Sequence, residues 1–218
     1  MTSNQTNPHQ GAPVLQSGLV LEHAQAALIL LHGRGGSAED ILALGQELEL
    51  DHACCLAPQA AGHTWYPNSF LAPIGNNEPW LESALELIRD LIRTCQGARI
   101  PTSRIALIGF SQGACLASEF VARNPQRYGG LVAFTGSMLG PLGSDIHHAG
   151  ALEGLPVLLS SGDPDPHVPW IRVEQTAAEF TRMGATVQLK QYIARPHTVL
   201  PEEIETARAL LQSSLLIS

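Results

Sequence analysis

The stretch Arg104–Arg123 reads RIALIGFSQGACLASEFVAR. Up to Phe110 it is a short apolar run, the pattern of a buried strand. From Gln112 to Arg123 it reads as helix, and Asn124-Pro125 closes it. Between the two stands Gly109-Phe110-Ser111-Gln112-Gly113, a G-x-S-x-G pattern. A chain that passes from strand to helix in so short a turn forces the serine into strained backbone space. Small residues two before and two after it avoid collision. The turn lifts the Ser111 hydroxyl above the sheet at the amino end of a helix, where free N–H groups favour developing negative charge. Ser111 is therefore the candidate nucleophile.

Outward from this elbow, strands alternate with helices. Ala26–Leu31 (AALILL), Cys54–Ala57, Gly130–Phe134, Pro156–Ser160 and Thr186–Ile193 read as strands. Ser37 opens a helix, with Asp40 completing a capping-box pattern. Trp80–Thr94 places Leu81, Ala84, Leu85, Ile88, Leu91 and Ile92 at helical spacing. Trp170–Met183 is a helix ended by Gly184, and Pro201–Leu211 is the last one. Leu15–Leu21 adds an outer strand. This alternation implies parallel β-α-β units, hence a mostly parallel central sheet with helices on both faces. With the elbow serine, it predicts the α/β-hydrolase fold. No insertion is large enough for a cap domain. The longest irregular piece, Ala60–Pro79, has the length of a functional loop. Residues 1–12 are polar and read as a disordered tail, leaving 13–218 as a single domain.

The formal net charge of -8 argues against nucleic acid and against an anionic membrane face. No run of 18 apolar residues exists to span a bilayer, and the amino end lacks the pattern of a secretory signal. Cys54, Cys55, Cys95 and Cys115 show no CxxC and no zinc-ligand spacing, so they read as buried free thiols and favour the cytoplasm. Neither a metal nor an organic cofactor is called for. A homodimer is compatible with the chain, though no residue specifies one.

A serine hydroxyl needs a base near neutral pH. In this fold the chain order is serine, acid, histidine. His9, His23, His32, His52 and His63 precede Ser111 and have the wrong order. His147 and His148 sit in a Gly-rich loop and read as a solvated pair. His197 follows a late strand and precedes the last helix, so it is the candidate base. The acid belongs on another strand-end loop. Gly162-Asp163-Pro164-Asp165-Pro166 offers two aspartates, one of which can instead shape the turn. Spacing does not choose between them.

The chain resembles the carboxylesterase/phospholipase family of α/β hydrolases, which includes acyl-protein thioesterases and small bacterial carboxylesterases. The resemblance rests on Leu31-His32-Gly33-Arg34-Gly35-Gly36, Ala57-Pro58-Gln59, Trp65-Tyr66, the GFSQG elbow, Ser161-Gly162-Asp163-Pro164-Asp165-Pro166-His167-Val168-Pro169 and Pro196-His197. It spans about residues 26–211. It implies Asp165 as the acid, with Asp163 shaping the turn and His167 at a variable position near the pocket. The sequence departs from the family at Pro196, where glycine is frequent. It departs again at Arg34, where the thioesterases often carry an apolar residue, which counts against long-chain acyl-protein substrates.

One donor to a developing oxyanion is, in this fold, the N–H after the nucleophile, here Gln112. The resemblance implies the N–H of Arg34 as the other. The Arg34 side chain either meets an anionic substrate group or points into water. Trp65, Tyr66, Phe70 and Leu71 form a candidate substrate wall in the long irregular segment. The expected activity is hydrolysis of carboxylic esters, with thioesters and lysophospholipids as related substrates. A small-molecule ester is the expected partner. Alternatives are a hydrolase of lactones, peptides or C–C bonds, and a binding protein of this fold without catalysis.

Overall fold

The computed structural model describes residues 7–215. Seven strands, β1 (Val14–Gly18), β2 (Ala26–Leu31), β3 (Ala53–Pro58), β4 (Ile105–Phe110), β5 (Gly130–Phe134), β6 (Pro156–Asp163) and β7 (Thr186–Ile193), form one sheet in the order β1-β3-β2-β4-β5-β6-β7. β1 is antiparallel to β3, and every other pair is parallel. Five helices connect them: α1 (Ala38–Gln46), α2 (Trp80–Gly97), α3 (Gln112–Arg123), α4 (Trp170–Arg182) and α5 (Pro201–Leu215).

Both faces of the sheet are apolar because both are covered. Along β2, Ala27, Ile29 and Leu31 enter one core, shared with α2, α3 and α4. Ala26, Leu28 and Leu30 enter the other, shared with α1 and α5. Side chains that alternate across a strand thus leave no polar alternation in the sequence. Burying each of these leucines and isoleucines contributes about 1.5–3 kcal/mol. The predicted architecture is the observed one, an α/β-hydrolase sheet, with no large cap among the described residues.

Several boundaries differ from the sequence reading, α2 and α5 among them, which run on to Gly97 and Leu215. β6 runs past Ser160 to Asp163, since its register with β7 continues to the Asp163–Ile193 pair. β1 stops at Gly18, which has φ +75° and lies where a Cβ would meet the Ala53 carbonyl oxygen at 2.5 Å. The expected disordered tail divides at residue 7. Residues 1–6 lie outside the described residues, but 7–12 are tied down. His9 is buried, its N–H donates to Ser83 Oγ and its Nε2 to the Trp65 carbonyl. Its ring packs on Trp65 and Trp80. Composition missed this because one buried histidine anchors an otherwise polar stretch.

The sheet order reverses at β2: the chain moves to β3 on one side, and β4 lies on the other. Loops diverge from such a point and leave a crevice at the carboxyl ends of the strands. The loop after β2 and the elbow after β4 flank this crevice. A Cβ on Gly113 would lie 2.0 Å from the Leu31 carbonyl oxygen, and one on Gly109 2.4 Å from the Gly113 carbonyl carbon. Among the described residues, no helix is long and apolar enough to cross a membrane. Gly113→Ala is expected to destabilise the fold by about 2–4 kcal/mol, because backbone rather than a yielding side chain opposes the methyl group. Urea unfolding of the variant checks this.

Candidate active site

Ser111 sits between β4 and α3 with φ 53° and ψ −116°, a conformation that side-chain-bearing residues rarely adopt. It occupies the N-cap of α3, yet its hydroxyl caps nothing. Its N–H donates to the Phe134 carbonyl at 2.9 Å, and its own carbonyl accepts the first helical bond from Cys115. The strained turn leaves Oγ facing His197, whose Nε2 lies 2.9 Å away.

His197 follows β7, and Asp165 follows β6. Their Nδ1···Oδ2 distance is 2.8 Å. A carboxylate only accepts, so Nδ1 carries the proton and Nε2 of the neutral ring is free to accept from Ser111. The Asp165 side chain is fully buried. Burial alone pushes its carboxyl up, but the His197 hydrogen bond and the N–H groups of His167 and Val168 outweigh it and hold the carboxyl below its ordinary range. Asp163 turns the other way, accepting from Gln191 Nε2 at 2.7 Å. Geometry thus separates the two aspartates that spacing left equal.

Other groups fix the histidine loop. Arg195 is nearly buried, donates to Thr135 Oγ1 at 2.6 Å and lies 3.6 Å from the buried Glu203. Glu203 accepts from Ser160 Oγ and from the Leu200 N–H. The loop from Arg195 to Leu200 is therefore pinned at both ends to β5, β6 and α5. Phe110 packs against the His197 ring on one side, with centroids 5.1 Å apart, and His167 meets it edge-on at 4.9 Å.

The loop after β2 faces the serine. Gly33 lies so close that a Cβ there would sit 3.4 Å from Ser111 Cβ. The Gly33 carbonyl accepts from His32 Nδ1 at 2.7 Å and from the Gly36 N–H at 3.0 Å. His32 Nε2 accepts from the Ala60 N–H, which fixes the neutral tautomer, and burial lowers the pKa of the ring. Across a trans peptide, the N–H opposes the carbonyl. With the Gly33 oxygen held by His32, the Arg34 N–H points the opposite way. Among the described residues it donates to no protein acceptor. The Gln112 N–H belongs to the first turn of α3, whose donors have no acceptor within the helix.

The Arg34 side chain meets neither expectation placed on it. Its guanidinium donates to the carbonyls of Tyr66, Pro67 and Asn68 at 2.7–2.9 Å, because a loop turned sharply around a proline exposes several carbonyls to one fork. The Gln112 side chain does related work, accepting from the Trp65 N–H and donating to the Tyr66 carbonyl. Sequence reasoning missed both side-chain roles. The long interval between partners left no local signal.

A cavity of about 440 Å³ lies over Ser111, walled by Tyr66, Phe70, Cys115, Val168 and His167 among others. Of the four residues read as a substrate wall, Tyr66 and Phe70 line this cavity. Trp65 and Leu71 do not line it. Trp65 is fully buried beneath, with Nε1 donating to the His32 carbonyl at 2.8 Å. An indole inside a core needs a partner for its N–H, and that carbonyl supplies one. Leu71 packs against the core with α2 and its neighbours.

Sheet order, elbow and the hydrogen-bonded line Ser111–His197–Asp165 define an α/β hydrolase. The chain belongs to the Phospholipase/Carboxylesterase family, whose sequence model matches residues 20–215, and it is a carboxylic ester hydrolase. It is similar to acyl-protein thioesterase 1 of Eremothecium gossypii, 27% identical over 217 residues, covering 88% of this chain and 89% of the relative. Among solved structures it is similar to a phospholipase/carboxylesterase from Dyadobacter fermentans, with TM-score 0.90, 39% identity, and 95% and 99% of the two chains covered. It is also similar to the esterase PE8, with TM-score 0.74, 26% identity, and 94% and 98% covered. Arg34→Met is expected to speed amide exchange across residues 64–71 and to cost about 1–2 kcal/mol, since the Pro67 and Asn68 carbonyls lose their side-chain donor and the Tyr66 carbonyl loses one of three. Exchange mass spectrometry reads the first effect and chemical unfolding the second.

Proposed function

We propose that the chain is a serine esterase that cleaves carboxylic esters through an acyl-enzyme on Ser111. The observation that carries this is the 2.9 Å approach of Ser111 Oγ to His197 Nε2 in a ring whose other nitrogen is held by buried Asp165. Ser111 Oγ attacks the carbonyl carbon while its proton passes to His197. The imidazolium that forms is stabilised by the Asp165 carboxylate, and it then protonates the leaving oxygen. Water repeats the sequence and frees the acid. The developing oxyanion takes hydrogen bonds from the N–H groups of Arg34 and Gln112, each worth about 3 kcal/mol in comparable sites.

Tyr66 and Phe70 form the wall for the substrate's acyl part, within a cavity sized for a small or medium chain. Thioesters fit the same chemistry. The four free thiols support a reducing compartment, the cytoplasm, as its place of action.

Ser111→Ala is expected to lower kcat on p-nitrophenyl butyrate by about 10⁴–10⁶. Asp165→Asn should lower it by about 10⁴, because the amide favours the wrong tautomer of His197. A fluorophosphonate should label the native protein at Ser111 and leave the alanine variant unlabelled. Undiminished hydrolysis by Ser111→Ala would refute the proposal.

A further inference from the structure

A second cavity, of about 430 Å³, opens at the same rim on the opposite side of the sheet. The first lies on the face covered by α2, α3 and α4. The second is walled by α1 and by the segment leading into α5. The two share Gly33, Arg34, Phe110 and His197, but Ser111 and Gln112 line only the first. Phe110 and the His197 ring thus stand as a partition, with the serine on one side and imidazole exposed to both.

Given the serine-esterase reading above, on which this inference rests, the substrate's two halves face different demands. The acyl carbon bonds to Ser111 Oγ with its oxygen toward the Arg34 and Gln112 N–H groups. The bond to the leaving oxygen or sulfur breaks as that atom takes the proton His197 received from Ser111. The acyl half is therefore fixed where Ser111 and Gln112 are, and the leaving half only where His197 is. We propose that the second cavity is the leaving-group subsite, and that it takes a compact apolar alcohol or thiol that is neutral or ends in an ammonium group.

The walls set that chemistry. Ile41, Leu44, Val199 and Ile204 supply an apolar lining, and Asp40 and Glu47 bring two carboxylates. Neither carboxylate is in an ion pair among the described residues. Arg34 is the one arginine or lysine in this lining, and its guanidinium is committed to the carbonyls of residues 66–68 on the far side. A leaving group carrying a carboxylate meets net negative charge here, whereas one carrying an ammonium is attracted.

The test uses butyryl esters of choline, of its neutral tert-butyl analogue and of hydroxypivalate, which share one acyl group. Because kcat/KM is set by binding and acylation and not by release of the shared butyryl group, its differences among these esters read the leaving half. The native protein should favour choline, then the neutral ester, then the carboxylate. Glu47→Lys should lower the choline-to-carboxylate ratio about fivefold, and salt should erode the native preference. Leu44→Trp should lower kcat/KM for the bulky alcohol esters about tenfold relative to methyl butyrate. Ratios unmoved in both variants would overturn the subsite, as would an effect on acyl-chain preference among methyl esters instead. Absence of all ester turnover together with an unlabelled Ser111 would overturn the esterase reading and the subsite with it.

Discussion

Gly113 stands where the first carbon of any side chain would lie 2.0 Å from the carbonyl oxygen of Leu31, and this contact ties the elbow to the end of β2. It sets how close α3 approaches the sheet. It also sets how near the loop after β2 comes to the serine, because Leu31 and His32 are the residues α3 touches. The positive φ of Ser111 follows, since no relaxed backbone turns β4 into α3 within that space. Strain at one residue is sustained by two well-packed cores, one on each face of the sheet.

Around this contact the loops are held by polar groups in addition to the apolar packing of Trp65, Tyr66 and Phe70. The Tyr66 carbonyl accepts from Arg34, Gln112 and the Thr64 hydroxyl. His32 holds the Gly33 carbonyl on one side and the Ala60 N–H on the other. The nearly buried Arg195 with Glu203 does the same for the loop of His197. Apolar burial is non-directional and does not by itself set which way a backbone group points. Directional bonds to backbone carbonyls do, and each net bond contributes about 1 kcal/mol.

The strands and helices were legible because their signals are local. AALILL between turn residues, the Ser37–Asp40 capping box and the helical spacing after Trp80 each occupy one short window, and each formed as read. The serine, histidine and candidate acids were legible because chain order constrains them in this fold. What escaped were contacts between distant residues. Arg34 reaches 32–34 positions along the chain to its acceptors, and His9 reaches 56 to Trp65. Trp65 was misplaced for the same reason. An aromatic residue in a polar loop looks like a pocket wall until its indole N–H is seen to meet the His32 carbonyl. The choice between Asp163 and Asp165 was likewise a matter of direction, which spacing does not carry.

The docking of His9 changes where this domain begins. Its ring lies behind Trp65 and its N–H holds Ser83, so the amino-terminal segment is a strut under the stretch that continues into Tyr66. The Pro13 carbonyl extends the brace by accepting the Gln59 N–H. Shortening the polypeptide to a start at residue 13 would leave a hole beside the two tryptophans and deprive the Trp65 carbonyl of its imidazole donor. A fusion partner is therefore better joined ahead of Asn7 through a spacer that lets this strut seat.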